Sequence, residues 1–174
     1  KSYRPFETGW IEHLWQNEYA QCLPYLRENA SGYPTVEELM KITCYGNTAF
    51  EGDVSQETDG SRLIAAAIKK DDERPLYLCS WGGANTIVRA LMRIANTYQG
   101  TDKWAEIQQY VTDKVGIFGI MDGVGQDKTW LKYGRPLFPK LKLLRSEDIY
   151  GSYFASKNAQ ADCRYMFNPE WLNK

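Results

Sequence analysis

The feature that most constrains the fold is an apolar run that ends in two glycines and leads directly into a helical pattern. The composition of residues 74–81 predicts a buried strand. Gly82 and Gly83 allow a sharp turn and a close approach of the backbone to a ligand. Asn85 and Thr86 then place polar groups beside the unpaired N–H groups of a helix start. The segment therefore predicts a ligand site at the carboxyl end of this strand.

Two further apolar segments, 115–121 and 141–144, are predicted strands, and helical patterns separate them from the first one. Strands joined by helical crossovers pair in parallel and carry helices on the sheet faces. We therefore expect an α/β fold with a mainly parallel sheet flanked by helices. Ligands of such sheets bind beyond the carboxyl ends of the strands, where the polar loop 122–130 is also expected.

Helices are also predicted in the first third of the chain. Residues 9–22 have an amphipathic pattern whose apolar stripe should lie on the core. Pro24 suits the first turn of a new helix, so a short separate turn is expected over 25–29. Thr35 and Glu38 have the spacing of a capping box, which predicts the start of another helix.

A polar, glycine-bearing segment without periodicity extends from Tyr45 to Gly60. Loops of this length are uncommon in compact domains unless they line a site or are mobile. Two interpretations therefore stay open, a pocket wall and a disordered segment. Ser61 is the expected cap of the helix that follows.

The charge balance bears on the partners of this chain. Its 174 residues include 21 Lys and Arg and 22 Asp and Glu, with a net charge of -1. No basic face or Lys/Arg run points to nucleic acid or an anionic membrane as a partner. No apolar run reaches the roughly 18 residues of a membrane span. Neutral ligands fit better, and the 14% aromatic content suits sugar or base stacking as well as core packing.

Cysteine and histidine usage argues against a zinc or thiol-redox site. The four cysteines lie far apart, without a Cys-x-x-Cys pair, and His13 is the only histidine. Cys79 lies within the predicted strand and is expected to be a buried free thiol. Disulfides are not required by the pattern, but they are not excluded by it either.

Common catalytic motifs are missing. The glycine turn lacks the third glycine and the later acidic residue of a dinucleotide-binding fingerprint. The Gly-x-Ser-x-Gly pattern of Ser-His-Asp hydrolases is absent. The loop after the second predicted strand carries Asp122, Gln126 and Asp127, which could coordinate a hard metal, bind sugar hydroxyls or simply be solvated. No pair of acids is placed by the sequence at the separation that glycosidases need.

Several short motifs follow one another in a characteristic order: Glu18-Tyr19-Ala20, Leu23 to Arg27, Gly32-Tyr33-Pro34, Asp59-Gly60-Ser61, Arg74-Pro75-Leu76, Trp81 to Thr86, and Gln126-Asp127. Taken together they resemble the nucleoside-hydrolase-like domain family of bacterial and fungal proteins. Members of this family are often described as cellulose-binding and associated with carbohydrate metabolism. The resemblance covers most of the chain.

The resemblance implies a Rossmann-like α/β fold and a site at the glycine turn. True nucleoside hydrolases use calcium and an activated water to cleave an N-glycosidic bond. By position, Ser80 and Trp81 would lend backbone carbonyls to calcium, a cation that accepts such oxygens and acidifies its bound water. The substrate-binding residues implied in the same way are Trp81, Asn85, Thr86, Gln126 and Asp127.

This chain also departs from the family pattern. Nucleoside hydrolases carry an aspartate-rich cluster at the end of their first strand, and no such cluster occurs here. By this resemblance the aspartate-rich stretch and the C-terminal part of the family domain lie outside the given sequence, so we expect 1–174 to be a single domain that is incomplete at both ends. No catalytic residue is assigned. The resemblance implies secretion or a periplasmic location.

Three functions remain in competition at this point. The first is a glycosidic-bond hydrolase of nucleoside-hydrolase type, acting with calcium on a nucleoside or another glycoside. The second is a non-catalytic domain on the same fold that binds a small glycoside or a polysaccharide such as cellulose. The third is a structural domain with a degenerate pocket.

Overall fold

The computed structural model describes residues 9–120 and 128–146. Within them the elements follow this order: α1 Trp10–Leu14, a π-helical turn Trp15–Tyr19, α2 Ala20–Asn29, α3 Val36–Ile42, α4 Asp59–Lys69, β1 Leu76–Ser80, α5 Asn85–Tyr98, α6 Trp104–Lys114, β2 Val115–Ile120, a second π-helical turn Trp130–Gly134, α7 Arg135–Leu137 and β3 Lys142–Ser146. None of the described helices is both long and apolar enough to cross a bilayer.

The three strands form one parallel sheet in the order β1-β2-β3. Leu76 pairs with Val115 and Ile117 pairs with Leu143, which fixes the register across the sheet. Helices α5 and α6 connect β1 to β2, as a parallel pair requires. The predicted α/β fold with a parallel sheet and helices is confirmed. The carboxyl ends of the strands meet at one side of the sheet, which we call the carboxyl edge.

The main core lies between one sheet face and the helices. Leu78 and Ile117 of the sheet belong to the same buried cluster as Val88 and Leu91 of α5. Each of these side chains is at most 9% exposed. The amphipathic pattern of α5 explains this packing, since its apolar positions recur every three or four residues on one face.

The prediction that Cys79 is a buried thiol is wrong, because its side chain is exposed in the structure. Strand side chains alternate between faces, and the alternation puts Leu78 and Ser80 into the core. Tyr77 and Cys79 therefore point to the opposite face, where Tyr77 is 60% exposed. The strand is thus buried on one face only. Cys79 is nevertheless a free thiol, as are Cys22 and Cys44.

Residues 10–43, which we call the helical arm, contain helices without a single buried residue. The predicted amphipathic helix forms, but its stripe does not join the main core. It packs on the end of the arm itself: the Trp15 Nε1–H donates to Thr43 Oγ1 at 2.9 Å, and the Tyr19 hydroxyl donates to the Pro34 carbonyl at 2.7 Å. The arm is a local unit because α3 folds back on the preceding turns.

The predicted break at Pro24 is also wrong, since Pro24 lies inside α2. A proline in a helix clashes with the preceding turn and loses one hydrogen bond. Here the π-helical turn Trp15–Tyr19 lies just before that turn and widens the backbone at this point. Such widening offers a physical reason why the helix continues through the proline.

Two helix starts further along the chain can be compared with their predictions. The capping box of Thr35 and Glu38 at the start of α3 is confirmed, with both reciprocal hydrogen bonds present. Helix α4, in contrast, is capped by Thr58 rather than by Ser61, which occupies the third helical position and bonds back to Thr58. Thr58 and Ser61 both carry a hydroxyl that can cap a helix. The helix starts after Thr58, the earlier of the two.

Candidate functional site

The candidate site begins at the turn that follows β1 on the carboxyl edge. Gly82 and Gly83 have φ angles of 101° and 147°, which residues with a side chain rarely adopt. The hydroxyl of Ser80 donates to the Gly83 carbonyl at 2.8 Å, so the chain folds back on itself immediately after the strand. Ser80 is only 3% exposed. The turn is therefore closed by a hydrogen bond from a buried hydroxyl, and the two glycines allow its backbone conformation.

Trp81 lies within this turn, and 70% of its surface is exposed. Trp81 is one of several large apolar residues that stay exposed in the described part of the chain, and it is the one that lies on the turn after β1. The hydrogen bond from Ser80 to Gly83 spans Trp81 and closes this turn. The predicted locus at the end of the strand thus carries a prominent aromatic group.

Asn85 opens helix α5, and its side-chain amide makes four hydrogen bonds to protein atoms. Its Oδ1 accepts from the Gly52 N–H and from the Thr129 hydroxyl, each at 3.0 Å. Its Nδ2 donates to the carbonyls of Asn47 at 3.2 Å and Phe50 at 2.8 Å. An amide has two donor hydrogens and two acceptor lone pairs, so its capacity is filled. Asn85 joins three segments of the chain at the carboxyl edge.

Thr86 binds the same region from the next position of the helix. Its Oγ1 accepts a hydrogen bond from the Asn47 N–H at 2.9 Å. A Cβ placed on Gly46 would lie 2.2 Å from that oxygen, so only glycine allows this approach. Gly60 is similarly confined, because a Cβ there would lie 2.9 Å from the Tyr45 carbonyl oxygen. The start of loop 45–58, the site loop, is therefore packed tightly against α4 and α5.

The far end of the site loop is held by charge. Glu57 forms ion pairs with Arg89, at 3.3 Å, and with Arg93. The side chain of Arg89 is 12% exposed, so this pair is screened by water less than a surface pair. The Nε of Arg89 is buried without a hydrogen-bond partner in the described part of the chain. Two arginines of α5 thus share one carboxylate at this end of the loop.

Of the six predicted site residues, four lie close together in the structure, and two lie outside the described residues. At the carboxyl edge, Ser80 ends β1, Trp81 lies in the turn that follows, and Asn85 and Thr86 open α5. Gln126 and Asp127 lie outside the described residues, although the nearby Thr129 reaches Asn85. The roles predicted for these six residues, as ligands of substrate or calcium, stay predictions.

The sequence patterns did not identify several residues that build the site. These residues are Asn47, Phe50, Gly52, Glu57 and Thr129. The polar, glycine-bearing composition of 45–60 was the one available signal, and it allowed a pocket wall. Of the two interpretations of this segment, the structure favours the ordered one, since hydrogen bonds hold it at several points along its length.

The described side chains offer few ligands for a metal ion. Within residues 9–120 and 128–146, no group of three or more His, Cys, Asp or Glu side chains is arranged to hold a metal ion. Calcium takes six to eight oxygen ligands, several of them usually carboxylates. The described side chains therefore do not form a calcium site by themselves. Ser80 and Trp81 could add only backbone carbonyls to such a site.

A concavity lies in the helical arm, away from the carboxyl edge. It is an open groove of about 730 Å³ between the end of α2 and α3. Arg27, on its wall, donates to the Tyr33 carbonyl, and Glu38 accepts from the Thr35 N–H. This hydrogen bond lowers the pKa of Glu38 from its ordinary value. Arg27 and Glu38, two polar residues of the groove, thus help to hold the arm together.

Comparison with known proteins places this fold in a class. The structure is similar to that of a nucleoside hydrolase-related protein from Saccharophagus degradans that is associated with carbohydrate metabolism, with a TM-score of 0.70 and 31% sequence identity. The match covers 83% of this chain and 33% of that chain, so the present chain spans about a third of its relative. The fold is therefore that of the nucleoside hydrolase-related α/β proteins.

The sequence shows to which family the chain belongs. A family model described as "Cellulose-binding Sde182, nucleoside hydrolase-like domain" matches residues 10–170, and the chain belongs to this family. The match confirms the resemblance found from the ordered motifs. No curated protein matches the chain.

Proposed function

We propose that this domain binds carbohydrate, as a glycoside or a polysaccharide, at the carboxyl edge of its sheet. The observation that carries the proposal is Trp81, which is 70% exposed on a turn that a hydrogen bond from the buried Ser80 closes. A flat indole stacks well against the apolar C–H face of a sugar ring, and its N–H remains available for a hydroxyl. Because the turn is already ordered, little conformational entropy is lost when a ligand binds.

Two further observations support a sugar rather than a charged ligand. The chain has a net charge of -1, so long-range attraction does not favour a polyanion. The family is described as cellulose-binding, and the relative from Saccharophagus degradans is associated with carbohydrate metabolism. In this proposal Asn85 and Thr86 act by holding the site loop, while Gln126 and Asp127 are candidates for hydrogen bonds to sugar hydroxyls.

A second candidate function, hydrolysis of a glycosidic bond with calcium, is favoured by the nucleoside hydrolase-related fold. When bound, calcium would supply a more acidic water as the nucleophile. Ser80 ends β1 and Trp81 follows it, and in this second candidate function their backbone carbonyls are the proposed calcium ligands. Their contribution needs carboxylates in addition, because the described side chains lack a group of three metal ligands.

Binding is tested by substituting the exposed indole. Trp81→Ala should lower the affinity for cellulose and for soluble glucose oligomers by about tenfold or more, the size expected for loss of one stacked ring. Tyr25→Ala is the matched control, since Tyr25 is 68% exposed but lies in α2 of the helical arm. Isothermal titration calorimetry and a cellulose pull-down give the readouts. Unchanged binding by Trp81→Ala would contradict the proposed site.

Hydrolysis is tested separately on the same preparations. Nucleosides and aryl glycosides are incubated with the protein, with and without calcium, and the released base or phenol is measured. Calcium-dependent turnover supports the second candidate. Absence of turnover under every metal condition, together with retention on cellulose, rejects it and leaves the binding function in place.

A further inference from the structure

We propose that Phe50 is a second sugar contact and that the site therefore takes an oligosaccharide chain rather than a single nucleoside or monosaccharide. This inference rests on the carbohydrate-binding function proposed above. It adds a residue from the site loop, which is a different segment from the turn that carries Trp81. Phe50 combines an exposed ring with a hydrogen-bonded backbone.

The ring of Phe50 belongs to a residue that is 65% exposed. Its backbone carbonyl, in contrast, accepts two hydrogen bonds, from the Asp53 N–H at 3.2 Å and from Asn85 Nδ2 at 2.8 Å. The first of these closes a turn in which Gly52 has a φ angle of 86°, a conformation that favours glycine. Phe50 is thus presented to solvent by a hydrogen-bonded turn and not by a free segment.

The rest of the site loop keeps this turn in place. On one side, the Asn47 N–H bonds to Thr86, and the Asn47 amide bonds to the Gln56 carbonyl across the loop at 2.8 Å. On the other side, Glu57 pairs with Arg89 and Arg93. A loop held at both ends and at its tip loses little freedom when a ligand binds to its exposed ring.

The two exposed aromatic residues lie at the same edge of the sheet. Asn85, whose amide binds the Phe50 carbonyl, follows Trp81 by four residues. Four residues span about 14 Å at most when extended, and the hydrogen bond from Ser80 to Gly83 folds this stretch back. Trp81 and Phe50 therefore present two rings from separate, ordered segments that meet at Asn85.

Two separate rings select for a ligand with more than one stacking face. A nucleoside offers one base and one sugar, whereas an oligosaccharide repeats the same apolar ring face along its length. Once one sugar unit is bound at the first ring, a linked sugar unit is held close to the second ring. Its binding there raises the overall affinity. We therefore expect the affinity to increase with the number of sugar units until both aromatic residues are covered.

The experiment measures affinity for soluble β-linked glucose oligomers from the dimer to the hexamer by isothermal titration calorimetry. For the natural protein, affinity should rise with length and then level off. Phe50→Ala should lose about tenfold in affinity for the hexamer, and the loss should become smaller as the oligomer becomes shorter. Trp81→Ala should weaken binding at every length. Tyr25→Ala, the exposed control in the helical arm, should leave the whole series unchanged.

Other outcomes separate this inference from the function on which it rests. Equal hexamer binding by Phe50→Ala and the natural protein would overturn the role of Phe50, while carbohydrate binding at Trp81 would stand. An equal loss at all lengths would overturn the oligosaccharide inference, since Phe50 would then belong to a single-sugar site. If the natural protein binds no oligomer, both proposals fail. Phe50→Leu keeps an apolar side chain but removes the flat ring, so it should repeat the result of Phe50→Ala with the fold intact.

Discussion

The helical arm and the sheet unit that follows it are built on different principles. In the arm, residues 10–43, the helices contain no buried residue, and capping and side-chain hydrogen bonds hold the turns together. In the sheet unit, by contrast, Ile68, Val88 and Leu91 are completely removed from water. Apolar burial is the larger stabilising term, so the sheet unit should carry most of the stability of the chain.

The site loop joins these two regions and resembles neither. It is held by polar groups, as the arm is, but several of those groups are buried, as the core is: Asn47 and Asn85 are 6% and 9% exposed. Buried polar groups that lose a partner are costly, whereas exposed ones are not. The comparison therefore predicts three sizes of effect, largest in the core, intermediate in the site loop and smallest in the arm.

The largest effect is expected in the core. Leu91→Ala should lower the free energy of unfolding by about 2–5 kcal/mol, because Leu91 is 0% exposed and its truncation leaves a cavity. Ile42→Ala is the matched substitution in the arm, where 61% of the residue is exposed, and it should change stability by less than about 0.5 kcal/mol. Urea unfolding followed by circular dichroism measures both. Equal losses in the two variants would remove the distinction between the regions.

An intermediate effect is expected in the site loop. Asn85→Ala removes the amide that joins Gly52, Phe50 and Thr129, and the buried groups left unpaired should cost about 1–3 kcal/mol. Hydrogen exchange should speed up over residues 45–58 in particular. Asn96→Ala, at an exposed position of the same helix, is the control and should leave both stability and exchange unchanged. Protection of the site loop in Asn85→Ala equal to that of the natural protein would show that the amide does not hold it.

The parts of this fold that the sequence predicts are those set by neighbouring residues. The strand at 76–80, the glycine turn and the helix after it follow from an apolar run, two glycines and a helical period. The capping box at Thr35 is equally local, since its partner is three residues away. Local patterns also predicted three strands in a parallel sheet, because helical segments between strands leave no shorter connection.

What the sequence does not predict is set by residues far apart in the chain. Asn85 bonds to Gly52, Phe50, Asn47 and Thr129, which lie between 33 and 44 positions away. A strand-to-helix turn with an asparagine fits a ligand contact and a structural amide equally well, and only tertiary packing shows which partners are within reach. The exposure of Cys79 is a similar case, because an apolar strand pattern does not tell whether one face or both are covered.

The smallest effect is expected at the capping box of the helical arm. The Thr35 N–H donates to Glu38 at 2.7 Å, and this hydrogen bond holds the pKa of Glu38 below its ordinary value. A lowered pKa stabilises the folded arm at a pH above the unfolded value, and that contribution is lost as the pH falls through the folded value. Unfolding of the arm, followed by hydrogen exchange in α3, should therefore depend on pH in the acidic range.

Replacing Glu38 tests whether its carboxylate causes this pH dependence. Glu38→Gln should remove it, because a glutamine side chain still accepts from the Thr35 N–H but does not titrate. Glu28→Gln, an exposed substitution in α2, should leave it in place. The sheet unit should show no corresponding change in hydrogen exchange, since its stability comes from apolar burial. If exchange in α4 and α5 followed the titration of Glu38 as closely as exchange in α3, the arm and the sheet unit would unfold as one cooperative structure.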